Sequence, residues 1–214
     1  MLHIEKFTVN MIQENCYIVN DETLDAVIID DGAFYPEEKQ AIEQYIEQNH
    51  LRPVHLLNTH AHFDHVLGNR AIYDKYGLLT ELHEADAYLL DSLHTQVREM
   101  MGWEMEEVQI PAGKFLTEQD EITFGSHKLR VIATPGHTPG GICFYCEQEQ
   151  VLFSGDSLFQ YSIGRTDFPG GNLLSLISSL KQKVLTLPDD TQVLSGHGPA
   201  TTVGKEKTAN LYLR

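Results

Sequence analysis

Residues 59 to 65 read Thr59-His60-Ala61-His62-Phe63-Asp64-His65, and the apolar run Val54-His55-Leu56-Leu57 leads straight into them. Four side chains able to ligate a metal fall within six residues. Imidazole and carboxylate groups suit zinc, iron and manganese. His60 and His62 alternate, as do residues that point the same way off a strand end. Asp64 and His65 follow in a turn, where the chain can reorient toward a second ion. A loop that is merely polar favours Asp, Asn, Ser and Gly over three histidines. The stretch therefore predicts a metal site for one or two ions.

Three later segments repeat the pattern of an apolar run followed by a ligand beside glycine. His137 lies in Thr134-Pro135-Gly136-His137-Thr138-Pro139-Gly140, Asp156 in Phe153-Ser154-Gly155-Asp156-Ser157, and His197 in Ser195-Gly196-His197-Gly198-Pro199. Glycine lets the backbone adopt unusual angles and pass close to an ion. Each segment alone reads as a turn or cap; together they describe strands that deliver ligands to one rim.

The chain has 214 residues, 42% of them hydrophobic, and a formal charge of −16. Such a length supports one substantial core, and 1–214 is expected to form a single domain. The acidic balance argues against a nucleic-acid partner, since phosphate binding depends on Lys and Arg, and against an anionic membrane surface. No apolar run reaches the roughly 20 residues of a membrane helix. The start, Met1-Leu2-His3-Ile4-Glu5-Lys6-Phe7, lacks the features of a signal peptide, so a cytoplasmic location is expected. Of the three cysteines, Cys143 and Cys146 spell C-x-x-C. A zinc or redox reading is rejected: residues three apart on a strand face opposite sides, and no second pair completes a structural site.

Strands are expected at Leu2–Val9, Cys16–Val19, Ala26–Ile29, Val54–Asn58, Leu78–Leu82, Ile122–Phe124, Lys128–Ala133, Ile142–Cys146, Val151–Phe153 and Gln192–Leu194. Helices are expected at Pro36–Gln48, Leu67–Tyr76 (stopped by Gly77), Glu84–Trp103, Leu173–Leu185 and Lys205–Leu211. The Met/Trp cluster between Glu99 and Glu107 is assigned to core or edge packing, Met being a common gap-filler, with the wall of a substrate entrance as the alternative. This order suits an α/β (α+β) chain in which two sheets pack face to face with helices outside.

The heptad, Gly136-His137-Thr138-Pro139-Gly140, Gly155-Asp156 and Gly196-His197-Gly198 together resemble the motif series of the metallo-β-lactamase superfamily, in its order and spacing and over almost the whole chain. The resemblance implies a four-layer αβ/βα sandwich with a metal centre at one edge. Asn15-Cys16-Tyr17-Ile18, the segment from Ser162 to Gly171 and the run from Gly196 to Thr202 are most similar to short bacterial hydroxyacylglutathione hydrolases (glyoxalase II). By that resemblance His60, His62 and His137 hold one metal, Asp64, His65 and His197 the other, and Asp156 bridges them. Zinc is the first expectation, with iron or manganese as alternatives. Asp30 is implied as a group that supports a ligand from behind, with a plain turn residue as the alternative.

Two ions roughly 3.5–4 Å apart can share a water and lower its pKa from about 15.7 toward 7. With the glyoxalase II-like flanks, the resemblance implies hydrolysis of a small S-acylglutathione-type thioester by a metal-bridging water or hydroxide, with Asp64 as candidate proton acceptor. Arg165 is the candidate partner of a substrate carboxylate, with a structural ion pair to Asp167 or another acid as the alternative; Tyr161 and Phe168 are candidate walls of the same mouth, with aromatic packing the preferred reading for both. The longer glyoxalase II enzymes carry a C-terminal helical region for glutathione that is not expected in the 17 residues after His197. The leading alternative is a persulfide dioxygenase with one iron on His60, His137 and Asp156, since those relatives share a Gly-Arg-Thr-Asp-Phe segment like 164–168. Lactone hydrolysis stays open, whereas Asp64 and the Arg165 segment disfavour a β-lactam substrate.

Overall fold

The computed structural model describes residues 1–214. Its first three strands, β1 (His3–Val9), β2 (Glu14–Asn20) and β3 (Asp25–Ile29), form an antiparallel meander. Helix α1 (Pro36–Gln48) follows; Glu38 accepts the Phe34 and Tyr35 N–H groups at 2.9 and 3.0 Å, satisfying donors at its start, and Ile42 and Ile46 share its buried face. Strand β4 (Arg52–Leu57) then pairs parallel to β3. Short helices α2 (Phe63–Val66) and α3 (Asn69–Tyr76) lead to β5 (Thr80–Leu82). A 3-10 turn (Glu84–Asp86), α4 (Ala87–Asp91) and α5 (Leu93–Met101) precede β6 (Ala112–Phe115), which completes a sheet of order β1-β2-β3-β4-β5-β6.

The second sheet begins with β7 (Glu121–Phe124), β8 (His127–Ala133), β9 (Ile142–Cys146) and β10 (Val151–Gly155), each antiparallel to the one before. A small hairpin of β11 (Leu158–Phe159) and β12 (Ser162–Ile163) intervenes. Helix α6 (Leu173–Ser179) continues as a π-helical stretch over Leu180–Val184. Then β13 (Gln192–Ser195) joins parallel to β10, β14 (Thr201–Thr202) takes the edge, and α7 (Val203–Ala209) follows, giving the order β14-β13-β10-β9-β8-β7.

Period-two alternation divides the core into layers. Tyr17, Val19, Val27 and Ile29 meet Phe124, Val131, Phe144 and Phe153 between the sheets. On the far side of the first sheet, Ile18, Ile28 and Leu56 pack under Ile42, Ile46 and Ile72. On the far side of the second, Ile132, Tyr145 and Leu152 pack under Leu176, Leu180 and Val203. The result is the expected four-layer sandwich. No helix is long and apolar enough to cross a membrane.

The cysteine reading is visible in the same layers. Cys146 belongs to the core between the sheets and Cys143 to the outer layer, and both are free and buried. Other expectations change. Asp64 and His65 sit on helix α2, not in a turn. The helix expected over Glu84–Trp103 is broken at Ser92, whose hydroxyl donates to the Tyr88 carbonyl at 2.8 Å; a side chain that bonds back to the previous turn competes with regular helix. Strand β6 was not expected, because Ala112-Gly113-Lys114-Phe115 is largely exposed and carries no alternation. In the Met/Trp cluster Met101 and Met105 pack on a buried cluster, but Met100 is exposed and lines a cavity.

The end of the sandwich opposite the ligand-bearing rim is closed by one carboxylate. Buried Asp21, between β2 and β3, accepts hydrogen bonds from Thr23 N and Oγ1 (2.9 and 2.6 Å), Ser126 N and Oγ (both 2.7 Å) and His127 Nδ1 (2.8 Å). Burial disfavours its charge, but the donors of Thr23, His127 and Ser126 outweigh it and hold the carboxyl well below the usual range. Asp21→Asn is expected to cost about 3 kcal/mol at neutral pH. With the folded-state pKa lowered, this stabilisation is present above about pH 4 and is lost as pH falls. Denaturant unfolding of both proteins should therefore give a gap that is full at pH 7 and narrows steadily below about pH 4; a constant gap would refute it.

Candidate metal centre

Each segment singled out in the sequence ends at one rim of the sandwich. His60 and His62 lie in the extended chain just past β4, Asp64 and His65 on α2, His137 between β8 and β9, Asp156 just after β10, and His197 just after β13. The strand register of β10 against β13 shifts between Phe153 and Gly155, and Gly155 takes φ = 48°. This irregularity turns the chain so that Asp156 leaves the sheet toward the rim. Gly155 also lies against Thr59, where a Cβ would collide with the threonine side chain.

The seven side chains gather in overlapping groups: His60, His62 and His137; Asp64, His65 and His197; and His60, His65 and Asp156. Within each, the ligand atoms lie within 4.8 Å of one another. Asp156 spans the groups, with Oδ1 3.4 Å from His65 Nε2 and Oδ2 3.6 and 3.7 Å from His137 and His197 Nε2. Backbone carbonyls fix two tautomers. His137 Nδ1 donates to the Arg165 carbonyl at 2.8 Å and His197 Nδ1 to that of Gln13 at 3.2 Å. A carbonyl can only accept, so both Nε2 atoms turn lone pairs inward when the rings are neutral.

Those inward atoms face other potential ligand atoms. His137 Nε2 is 2.9 Å from His62 Nδ1, and His197 Nε2 is 3.1 Å from Asp64 Oδ2. Meanwhile His60 Nε2, His65 Nε2 and Asp156 Oδ1 are buried with no hydrogen-bond partner. Buried polar atoms in this state are costly unless a proton or cation satisfies them. Five imidazoles and two carboxylates without a thiolate make a donor set that suits divalent first-row metals, so the residues fit such ions.

Electrostatics divide the histidines. Burial, reinforced by the neighbouring imidazoles, lowers His60 far below its ordinary value and brings His62 down to about 4. Both are therefore neutral at pH 7, the state a ligand needs. Burial also opposes charge on His65 and His197, but Asp64 and Asp156 outweigh it and raise both. Asp64 and Asp156 are correspondingly lowered against their burial, with His65 the largest favourable influence on each.

Asp30 lies behind the centre. Its carboxylate accepts from Thr59 N and Oγ1, both at 2.7 Å, and Oδ2 is 3.2 Å from His65 Nδ1. Four further residues that the sequence did not single out hold the ligand loops: Asn10, Asn58, Asp86 and Gln96. None carries a motif, and only contacts across the fold reveal them.

A cavity of about 380 Å³ opens over the centre and is bounded by His62, Asp64, His137, Asp156 and His197 on its floor. Arg165, Phe168, Leu89 and Met100 are among its walls. Arg165 lines the cavity and forms the structural ion pair considered for it, two-pronged with Asp167 at 2.8 and 2.7 Å, its guanidinium 3.8 Å above the Phe168 ring. Tyr161 lies outside the cavity. It occupies the connection between β11 and β12 at φ = 61° and is half exposed, so the mouth assignment is corrected for this residue.

Residues 9–197 match the family described as the Metallo-beta-lactamase superfamily. The chain is 37% identical to hydroxyacylglutathione hydrolase GloC of Haemophilus influenzae over 99% of its own length and 98% of that protein. It superposes on BLEG-1 B3 metallo-beta-lactamase with a TM-score of 0.89 at 37% identity, covering 99% of both chains. A di-iron-bound form of TTHA1623 gives a TM-score of 0.86 at 36% identity over 98% of this chain and 100% of that one.

Proposed function

We propose, from the premise that the chain belongs to the metallo-beta-lactamase superfamily and is a metal-dependent hydrolase, that its substrate is an S-acylglutathione-type thioester. The observation that carries this reading is the cavity itself, which is lined by Arg165 and by five of the seven His/Asp ligands. The similarity to GloC over nearly the full length of both chains supports it. His60, His62 and His137 would hold one ion and Asp64, His65 and His197 a second, with Asp156 available to both; zinc is first choice, iron or manganese next. When bound, such ions supply Lewis acidity and an acidified water.

The chain's own groups do the rest. The Arg165 and Gln13 carbonyls keep His137 and His197 in one tautomer, so their lone pairs stay aimed at the floor. Asp64 is the proton acceptor we assign. Its lowered basicity restricts that role to a water already made acidic. Arg165 takes a substrate carboxylate: its pair with Asp167 is solvent-exposed, and such pairs are worth only about 0–1 kcal/mol, so exchanging partners costs little. Leu89, Met100 and Phe168 cover the apolar part of the ligand and exclude water from it.

Turnover of S-lactoylglutathione by zinc-, iron- and manganese-loaded protein tests the reading; no turnover with any fully loaded centre refutes it. Arg165→Gln should raise KM about tenfold, the loss of one charge-assisted hydrogen bond of about 1.4 kcal/mol, with kcat little changed. The similarity to BLEG-1 favours hydrolysis of a β-lactam amide as a second reading. A β-lactam turned over faster than the thioester by the same preparation would put that reading first.

A further inference from the structure

The polar arms of the segment Glu84–Met101 hold one half of the centre and leave the other alone. Gln96, on α5, accepts the Phe63 N–H at 3.1 Å through Oε1 and donates through Nε2 to the Ala61 and Leu89 carbonyls at 3.2 and 2.8 Å. Its carboxamide thereby brackets His62 from both sides along the chain. The Phe63 N–H opens α2 and has no partner inside that helix, so Gln96 supplies the missing acceptor. Asp86, buried at the head of α4, accepts Thr138 Oγ1 at 2.7 Å and Gly140 N at 2.6 Å, gripping the turn just after His137.

The second half is held from elsewhere. Asn10 Nδ2 donates to the Asp64 carbonyl at 2.9 Å and Asn58 Nδ2 to the His65 carbonyl at 2.7 Å. Asp30 stands behind His65, and the Gln13 carbonyl takes His197 Nδ1. These groups come from the first sheet and its loops. Ser92, Thr95, Glu99 and Met100 of the same helical segment meanwhile line the cavity, so the wall that faces substrate carries the arm that brackets His62.

We propose that Gln96 and Asp86 are positioning residues for the His60–His62–His137 half alone, while Asp30 stands behind both halves, through Thr59 next to His60 and directly at His65. The proposal rests on the two-ion reading above. Groups that orient metal ligands typically change metal affinity by about 10- to 100-fold when removed. A carboxamide offers a donor and an acceptor at once, which suits it to bridge an N–H and a carbonyl on either side of one residue.

The test is zinc titration of metal-free protein against a chromophoric chelator, which uses no substrate. Gln96→Met keeps length and volume but removes the hydrogen bonds. It should weaken one of two binding steps by about tenfold or more and leave the other within about twofold. One equivalent of cobalt in this variant should give the electronic spectrum that one equivalent gives in His62→Ala. Asn10→Gly, which suits the positive φ of 54° at that position, should weaken the opposite step. Equal weakening of both steps by Gln96→Met, or of neither, overturns the proposal. Should metal-free Gln96→Met lack cooperative unfolding, Asp86→Asn read in the same way decides. A single binding step in the unaltered protein would overturn the proposal together with the two-ion reading, whereas two steps without thioester turnover would remove only the substrate assignment.

Discussion

Asp156→Ala is expected to lower hydrolysis by about 10³-fold or more and to reduce bound metal from about two ions per chain to about one. Its carboxylate faces both groups of histidines: Oδ1 faces His65, and Oδ2 faces His137 and His197. Losing it removes a ligand from each half and the negative charge that offsets the ions. Asp156→Asn separates these effects, since it preserves shape and one acceptor oxygen while discarding the charge. It should retain more metal than the alanine variant but recover little activity. Metal analysis beside steady-state kinetics checks both. Full loading and near-normal turnover in either variant would show that Asp156 does not join the halves.

Gly164→Ala should be nearly as damaging without replacing a ligand. A Cβ at residue 164 would collide with the Asp156 carbonyl oxygen and lie 3.2 Å from His137 Cβ. The obstacle is backbone, so no rotamer relieves it, and the hairpin of β11 and β12 must move away from the centre. Overpacking of this kind costs about 1–3 kcal/mol. A shift of about 1 Å in a catalytic group can cost about 10²-fold in rate. Thermal unfolding and kcat should therefore fall together, with bound metal partly retained. An unchanged unfolding midpoint with wild-type kcat would refute the close approach.

How much of this was readable in advance follows from how local each feature is. The heptad exposes its ligands because His60, His62, Asp64 and His65 are neighbours in sequence, and His137, Asp156 and His197 show themselves through flanking glycines after apolar strands. The C-x-x-C pair was readable for the same reason, strand alternation being a two-residue rule. The supports were not. Gln96 reaches 33 and 35 residues back to Phe63 and Ala61, and Asp86 reaches 52 and 54 residues forward to Thr138 and Gly140. Such contacts exist only after the layers have packed, and a lone Gln or Asp in a helical stretch carries no mark of them. Tyr161 failed differently: it lies next to the cavity's own segment, but the positive φ at the connection of β11 and β12 places it outside the mouth. The break at Ser92 rests on one hydroxyl choosing a backbone carbonyl over solvent, a choice that periodicity does not encode.

The carboxylate knot around Asp21 has a consequence for the order in which the protein is assembled. Thr23, Ser126 and His127 satisfy it completely with donors of the chain, and none of these groups belongs to the metal centre. One end of the sandwich is thus fastened by covalent sequence alone, while the other presents lone pairs that need a cation. Closure at the first end is independent of metal supply, so the chain can reach its layered form first and receive its ions afterwards, at a rim whose spacing the two sheets have already set.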